Sequence, residues 1–132
     1  MASVTFTIPG KPFAKQRARV TRFGAYTPKE TVSFERVVGQ LAALKIKNPL
    51  IGAVELTVVA EFVPPPSWSS KRRAEAMGKH HIQKPDLDNI VKAVSDGMNR
   101  IAFSDDSQVA SFGQSHKKWA DKEQTTVTVT EI

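Results

Sequence analysis

Asp86 and Asp88 stand two residues apart at the head of the run Leu87-Asp88-Asn89-Ile90-Val91-Lys92, and a second pair, Asp105-Asp106, follows downstream. Carboxylates in such a group are suitable donors for a hard divalent cation, because Mg²⁺ takes oxygen ligands and keeps several of its waters. A cation held this way lowers the pKa of a bound water, polarises a phosphoryl oxygen and steadies a leaving oxygen. Without a cation, close carboxylates repel one another. Lys92 could offset negative charge that develops on a phosphoryl group. The rest of the chain is basic, with 19 Lys and Arg against 13 Asp and Glu and a net charge of +6. Acidic groups gathered at one point of a basic protein suggest a cation facing a polyanion, and hence Mg²⁺-dependent cutting of nucleic acid.

The same residues also have a purely structural reading. Asp86 could cap a helix, Asp88 could be a first-turn charge favoured by the helix dipole, and Asp88–Lys92 could be an ordinary i,i+4 pair worth a few tenths of a kcal/mol. Asp105-Asp106-Ser107 could be a turn. Spacing alone leaves both readings open.

The elements that must position these groups follow from periodicity. Residues 3–8 alternate as a strand and stop at Pro9-Gly10. Residues 11–27 are basic and irregular, with Phe23-Gly24-Ala25-Tyr26 as a candidate hairpin tip. Thr27 is expected as the N-cap of a helix to about residue 47, with Pro28 at its first position and Glu30 at its third. Its apolar stripe would be Val32, Phe34, Val37, Val38, Leu41 and Leu44. Residues 53–63 read as a central strand covered on both faces, ended by Pro64-Pro65-Pro66. A short helix is expected over 69–78 and a longer one over 87–101, with Leu87, Ile90, Val91, Val94, Met98 and Ile101 on its apolar side. Residues 108–112 and 124–130 look like two last strands, with 117–123 between or within them. The expected fold is a single small α+β domain over residues 1–132, in the order β-α-β-α-β-β, with a mixed sheet of about four strands and two main helices.

In that frame Asp88, Lys92, Asp96 and Asn99 lie along one polar helix face. Asp86 is about 200° of rotation from Asp88 if both are helical, so the two converge only if Asp86 is the N-cap. Pro85 suits that arrangement, since it disfavours helix at Lys84. Asp105 and Asp106 lie past the far end of the helix, roughly 20 Å away in axial rise. They join the site only if the chain doubles back beside the helix, which nothing local demands.

Composition sets the outer limits. The length suits one domain with one core. The absence of cysteine rules out disulfides and thiolate chemistry and fits a cytoplasmic location. The N-terminus alternates like a strand rather than a signal peptide, and no apolar run is long enough to cross a membrane. Lys15, Arg17 and Arg19 alternate and, if extended, would project from one face toward phosphates, with Arg22 following. Lys71, Arg72, Arg73 and Lys79 form a second basic group, Lys117 and Lys118 a third candidate, and Lys84 stands beside the first aspartate. Phe13, Phe23 and Tyr26 could stack on bases or simply pack. His80 and His81 are poor Mg²⁺ ligands. Trp68 and Trp119 read as core or interface residues.

Lys-Pro-Asp-Leu-Asp-Asn-Ile-Val-Lys-Ala-Val at 84–94, with Asp-Asp-Ser-Gln-Val at 105–109, resembles the RusA family of Holliday-junction resolvases, small endodeoxyribonucleases often carried by phages and prophages. Lys-Gln-Arg-Ala-Arg-Val at 15–20 and Tyr-Thr-Pro at 26–28 resemble its phage-type branch. The resemblance implies a homodimer with one Mg²⁺-dependent site per subunit, acting on four-way DNA junctions in recombination and repair. It implies that Asp86, Asp88 and Asp106 hold the metal and that Lys92 is the essential lysine. Well-known members carry a run of arginines before the first aspartate, whereas this chain reads His80-His81-Ile82-Gln83-Lys84-Pro85. A nuclease of the same chemistry on simpler branched DNA or RNA, and a non-catalytic DNA-binding dimer, are the competing readings.

Overall fold

The computed structural model describes residues 2–132; the side chain of Arg19 lies outside the described part. The sheet is built from β1 (Ser3–Pro9), β4 (Val54–Phe62), β5 (Val109–Phe112), β6 (His116–Trp119) and β7 (Gln124–Glu131), and the short strands β2 (Arg19–Thr21) and β3 (Gly24–Tyr26) pair apart from it. Three helices complete the α+β domain: α1 (Lys29–Lys45), α2 (Ser70–Ala76) and α3 (Leu87–Met98).

The sheet order is β1-β7-β4, with β5 and β6 placed end to end along the outer edge of β4. β7 runs antiparallel to both β1 and β4, whereas β5 and β6 run parallel to β4. A parallel return needs a crossover, and the α2–α3 segment supplies it. Period-2 alternation turns Phe6 and Ile8 of β1, Val54, Leu56, Val58, Ala60 and Phe62 of β4, and Val127 and Val129 of β7 to one face. Val38 and Ala42 of α1 and Ile90, Val91, Val94 and Met98 of α3 close that face into the core.

Several expectations are corrected. The main sheet has five strands rather than about four, because 116–119 forms a strand of its own. β4 has a strand neighbour on each side, but its second face (Glu55, Thr57, Val59, Glu61) is only half-buried, so it is not covered on both faces. The hairpin turns at Arg22-Phe23, since Thr21 pairs with Gly24 and Arg19 with Tyr26. Thr27 is not the N-cap of α1. Pro28 holds that place with extended backbone (φ −54°, ψ 144°), and its carbonyl accepts from the Thr31 and Val32 amides. Val32, Val37 and Leu44 of the expected α1 stripe are exposed, because the buried face is centred on Thr31, Val38, Gly39 and Ala42. α3 stops at Met98 instead of Ile101. The amides of Ile101 and Ala102 both return to the Met98 carbonyl, and Arg100 takes a left-handed backbone (φ 69°). Residues 12–18 form no strand, so Lys15 and Arg17 do not share an extended face: Lys15 is half-buried and Arg17 exposed.

α1 and α3 cross at two glycines. A Cβ on Gly97 would lie 2.7 Å from Cβ of Val38, and one on Gly39 would lie 2.8 Å from Cδ1 of Ile101. This close approach fixes how far α3, which carries Asp88 and Lys92, stands from the rest of the molecule.

Candidate active site

Asp86 is the N-cap of α3, with extended backbone (φ −72°, ψ 140°) and its carbonyl accepting from the Ile90 amide. Its carboxylate caps nothing; Lys84 Nζ donates to its Oδ1 at 2.8 Å. This hydrogen bond and the adjacent positive charge hold the Asp86 carboxyl below the usual carboxylate range. The chain ahead of it is tied down by Lys117 of β6, whose ammonium donates to the carbonyls of Gln83 (2.6 Å) and Pro85 (2.8 Å). Lys117 is thus a structural clasp on the approach to Asp86.

The chain does double back. After α3, Leu50 receives the segment: its amide donates to the Ala102 carbonyl at 2.7 Å, and it bridges to Phe103. A single 3₁₀ turn, Asp106–Gln108, then leads into β5. Gln108 organises this turn with both ends of its amide. Its Oε1 accepts from the amides of Ser104 (2.9 Å) and Asp105 (3.1 Å), and its Nε2 donates to the carbonyls of Leu50 (3.0 Å) and Gly52 (2.9 Å). Asp105 is the cap of the turn: the Ser107 amide donates to its Oδ2 at 3.0 Å, and hydrogen bonding from the Ser107 side chain first, then from its amide, lowers the Asp105 pKa. The first aspartate of the pair is thereby occupied with backbone, and the second is free to face elsewhere.

Asp106 faces α3. With Asp88, Val91, Lys92, Ser95, Val109 and Phe112 it lines an open pocket of about 250 Å³. The pairing of Asp88 with Lys92 considered from sequence does not form. Lys92 Nζ instead donates to Asp96 Oδ1 at 3.1 Å. The other oxygen of Asp96 lies 3.1 Å from Lys15 Nζ, which also pairs with Glu35 of α1. Burial opposes the charge on Lys15, but hydrogen bonds and attraction from Glu35 and Asp96 outweigh it and raise its pKa. Lys15 therefore joins α1 to α3 from within, its backbone amide donating to the Asn89 carbonyl at 2.8 Å.

Asp86 does not line the pocket that Asp88 and Asp106 share. Among the described residues no group of three or more His, Cys, Asp or Glu side chains is placed to hold a metal ion. The donors that do meet are hard carboxylate oxygens. The histidines lie away from them: His81 is buried between Phe62 (ring centroids 4.1 Å apart) and Trp119 (4.3 Å), and His80 meets His116 edge-on at 5.9 Å. The chemistry of that donor set fits Mg²⁺ rather than a softer ion.

Of the other basic candidates, Arg17, Arg22, Lys71, Arg72 and Lys84 are exposed and Arg73 is half-buried. Arg19 belongs to β2, and its side chain is outside the described part. Arg22 lies over the Phe23 ring at 4.9 Å, at the tip of a hairpin whose Val20 and Phe23 are also exposed. The roles of three contributors, though not the residues themselves, were missed from sequence. Gln108 was legible, because Asp-x-x-Gln is a capping-box spacing. Asp96 was legible as the i+4 neighbour of Lys92. Lys117 carried no local signal, since its partners are more than thirty residues away.

No helix is long and apolar enough to cross a membrane among the described residues. The family model described as endodeoxyribonuclease RusA matches residues 9–130. The chain is also 32% identical over 118 residues to the uncharacterised protein YqaN of Bacillus subtilis strain 168, covering 83% of each.

Proposed function

Since this chain belongs to the RusA family of endodeoxyribonucleases, we propose that it is a Mg²⁺-dependent endonuclease that resolves four-way DNA junctions by paired strand cuts. The observation that carries the reading is the pocket where Asp88, Lys92 and Asp106 meet, on a chain with net charge +6. Asp88 and Asp106 would hold the ion, joined by Asp86 once Lys84 is drawn off to DNA. A bound Mg²⁺ supplies an activated water and a polarised phosphoryl oxygen. Lys92 stabilises the charge that develops on the phosphoryl group, and Asp96 keeps its ammonium in place. Arg17, Arg22, Lys71 and Lys84, with Arg19, contact phosphates and set the register of the DNA.

Among the described residues each chain brings Asp88, Lys92 and Asp106 to one pocket and a junction needs two cuts, so the active species is a two-fold homodimer whose symmetry matches that of the junction. The apolar side of α3 is not its interface, because Val94 and Met98 are fully buried in the chain's own core. Phe112, 64% exposed beside the carboxylates, is the apolar side chain available there.

The test incubates the protein with Mg²⁺ and a four-way junction, a flap, a duplex and single strands. The junction should be cut fastest, by symmetric incisions. Asp88→Asn, Asp86→Asn and Asp106→Asn should nearly abolish cutting while binding is kept or tightened, because a ligand is lost and repulsion of phosphate falls. Asp105→Asn should be mild, since Asn caps about as well as Asp. Equal cutting by wild type and Asp88→Asn would refute the site. Faster cutting of flaps or single strands would move the reading to simpler DNA.

A further inference from the structure

Away from the carboxylates, α2 and β6 flank an open pocket of about 310 Å³ lined by Trp68, Arg72, Glu75, Lys79, His80 and Trp119 among others. The two indoles lean on each other with ring centroids 5.0 Å apart, and the Arg72 guanidinium carbon lies over the Trp68 ring at 3.6 Å. The floor is held firmly. Ser69 caps α2 by accepting from the Arg72 amide (3.2 Å), and the amides of Gly78 and Trp119 exchange bonds with the Trp119 and Lys79 carbonyls at 2.9 and 3.0 Å. Planar aromatic and guanidinium faces flanked by cations form a surface on which a nucleobase stacks while its phosphate is neutralised. Glu75 adds an acceptor at the rim. The volume is at the lower end of small-molecule pockets, enough for one nucleotide and too small for a duplex.

We propose that this pocket takes one unstacked base of the DNA substrate, seated on the Arg72 guanidinium and Trp68, which the buried Trp119 backs from the core, with Lys79 and His80 beside its phosphate. The inference rests on the reading of this protein as a branched-DNA nuclease and adds how it recognises a branch, where bases are free to leave the stack. The pocket is also wired to the site. Gln83 is part of its lining, and Lys117 grips the Gln83 and Pro85 carbonyls immediately ahead of Asp86. A seated base therefore fixes the strand relative to the first carboxylate.

The chain contains two tryptophans, and both line this pocket, so tryptophan fluorescence, excited where Tyr26 does not absorb, reports on it. Titration of the intact protein with a four-way junction in Ca²⁺, to hold back cutting, should quench that fluorescence, since a base stacked on indole does so. Replacing the branch-point nucleotides one at a time by base-less residues should identify one position whose loss weakens binding roughly tenfold, the scale of one base–aromatic stack. Arg72→Ala, at an exposed side chain that leaves the fold intact, and Trp68→Ala should lose the same factor on the intact junction and little more on the base-less one. Trp68→Phe should restore most of it. Binding and cutting that are indifferent to every base-less substitution, or tight binding without quenching, would overturn the base slot and leave the nuclease reading standing. A wild type that binds none of the DNAs would remove both.

Discussion

Lys92 stands in a chain of charges, Glu35–Lys15–Asp96–Lys92, and its position is set by neighbours. Lys92→Ala should slow single-turnover cutting on the order of a hundredfold with little change in binding, because a cation beside the reacting phosphoryl acts mainly on developing charge. Asp96→Asn keeps an acceptor for Lys92 but drops the charge, and should slow the same step less, by roughly tenfold. A rate unchanged in both would make Lys92 a surface partner of Asp96 of little consequence. His81 carries a second residue-level expectation. Burial first, then the charge of Lys117, depress its pKa below the usual 6.5, and its Nδ1 has no hydrogen-bond partner. The unfolded chain therefore takes up the proton more readily than the folded one. Stability is complete above the ordinary histidine pKa and declines as pH falls through it. Thermal unfolding between about pH 7 and pH 5 should show this decline, and His81→Phe, which keeps a ring between Phe62 and Trp119, should lessen it.

At the scale of elements, the α1–α3 crossing decides where the face of α3 that bears Asp88 and Lys92 sits. Gly97→Ala would place a methyl group 2.7 Å from Val38 Cβ and 3.1 Å from the Glu35 carbonyl. Overpacking of this kind costs about 1–3 kcal/mol, and alanine's better helix propensity returns at most about 1 kcal/mol. Urea denaturation should therefore show a net loss. A stabilised variant would mean that the helices separate without penalty. The 3₁₀ turn at 106–108 shows the same dependence on a few contacts, since one glutamine amide joins the turn to the 50–52 segment.

For the molecule as a whole, a net charge of +6 should make DNA binding steeply salt-dependent, because each neutralised phosphate releases counterions. Arg17→Glu should flatten the slope, and a wild-type slope near zero would remove the polyanion reading. Sedimentation at micromolar protein should give about twice the 14.5 kDa chain mass. A monomer that stays monomeric on a junction would turn the reading from paired cutting to single nicks.

Local pattern alone determined the α+β class, the two main helices, the helix start at Asp86 and the acidic, basic and aromatic groups that chemistry would use. Alternation in 3–8 and 53–63 and the stripe from Leu87 to Met98 are signals carried by neighbouring residues, so they are legible in one dimension. Only tertiary structure decided the rest. Asp106 comes to line one pocket with Asp88 because the chain returns along α3, anchored through Leu50 and Gln108, and those partners lie more than fifty residues apart. The same holds for Lys15, which the sequence offered as a phosphate contact and the fold enlisted between two carboxylates. Val32, Val37 and Leu44 matched a helical stripe, yet which arc of α1 is buried was set by the close approach of Gly39 and Gly97, which hydrophobicity does not encode. Residue type limits what a side chain can do. Which partner it meets depends on closing long loops, and that entropy is repaid only by the packing of the whole core.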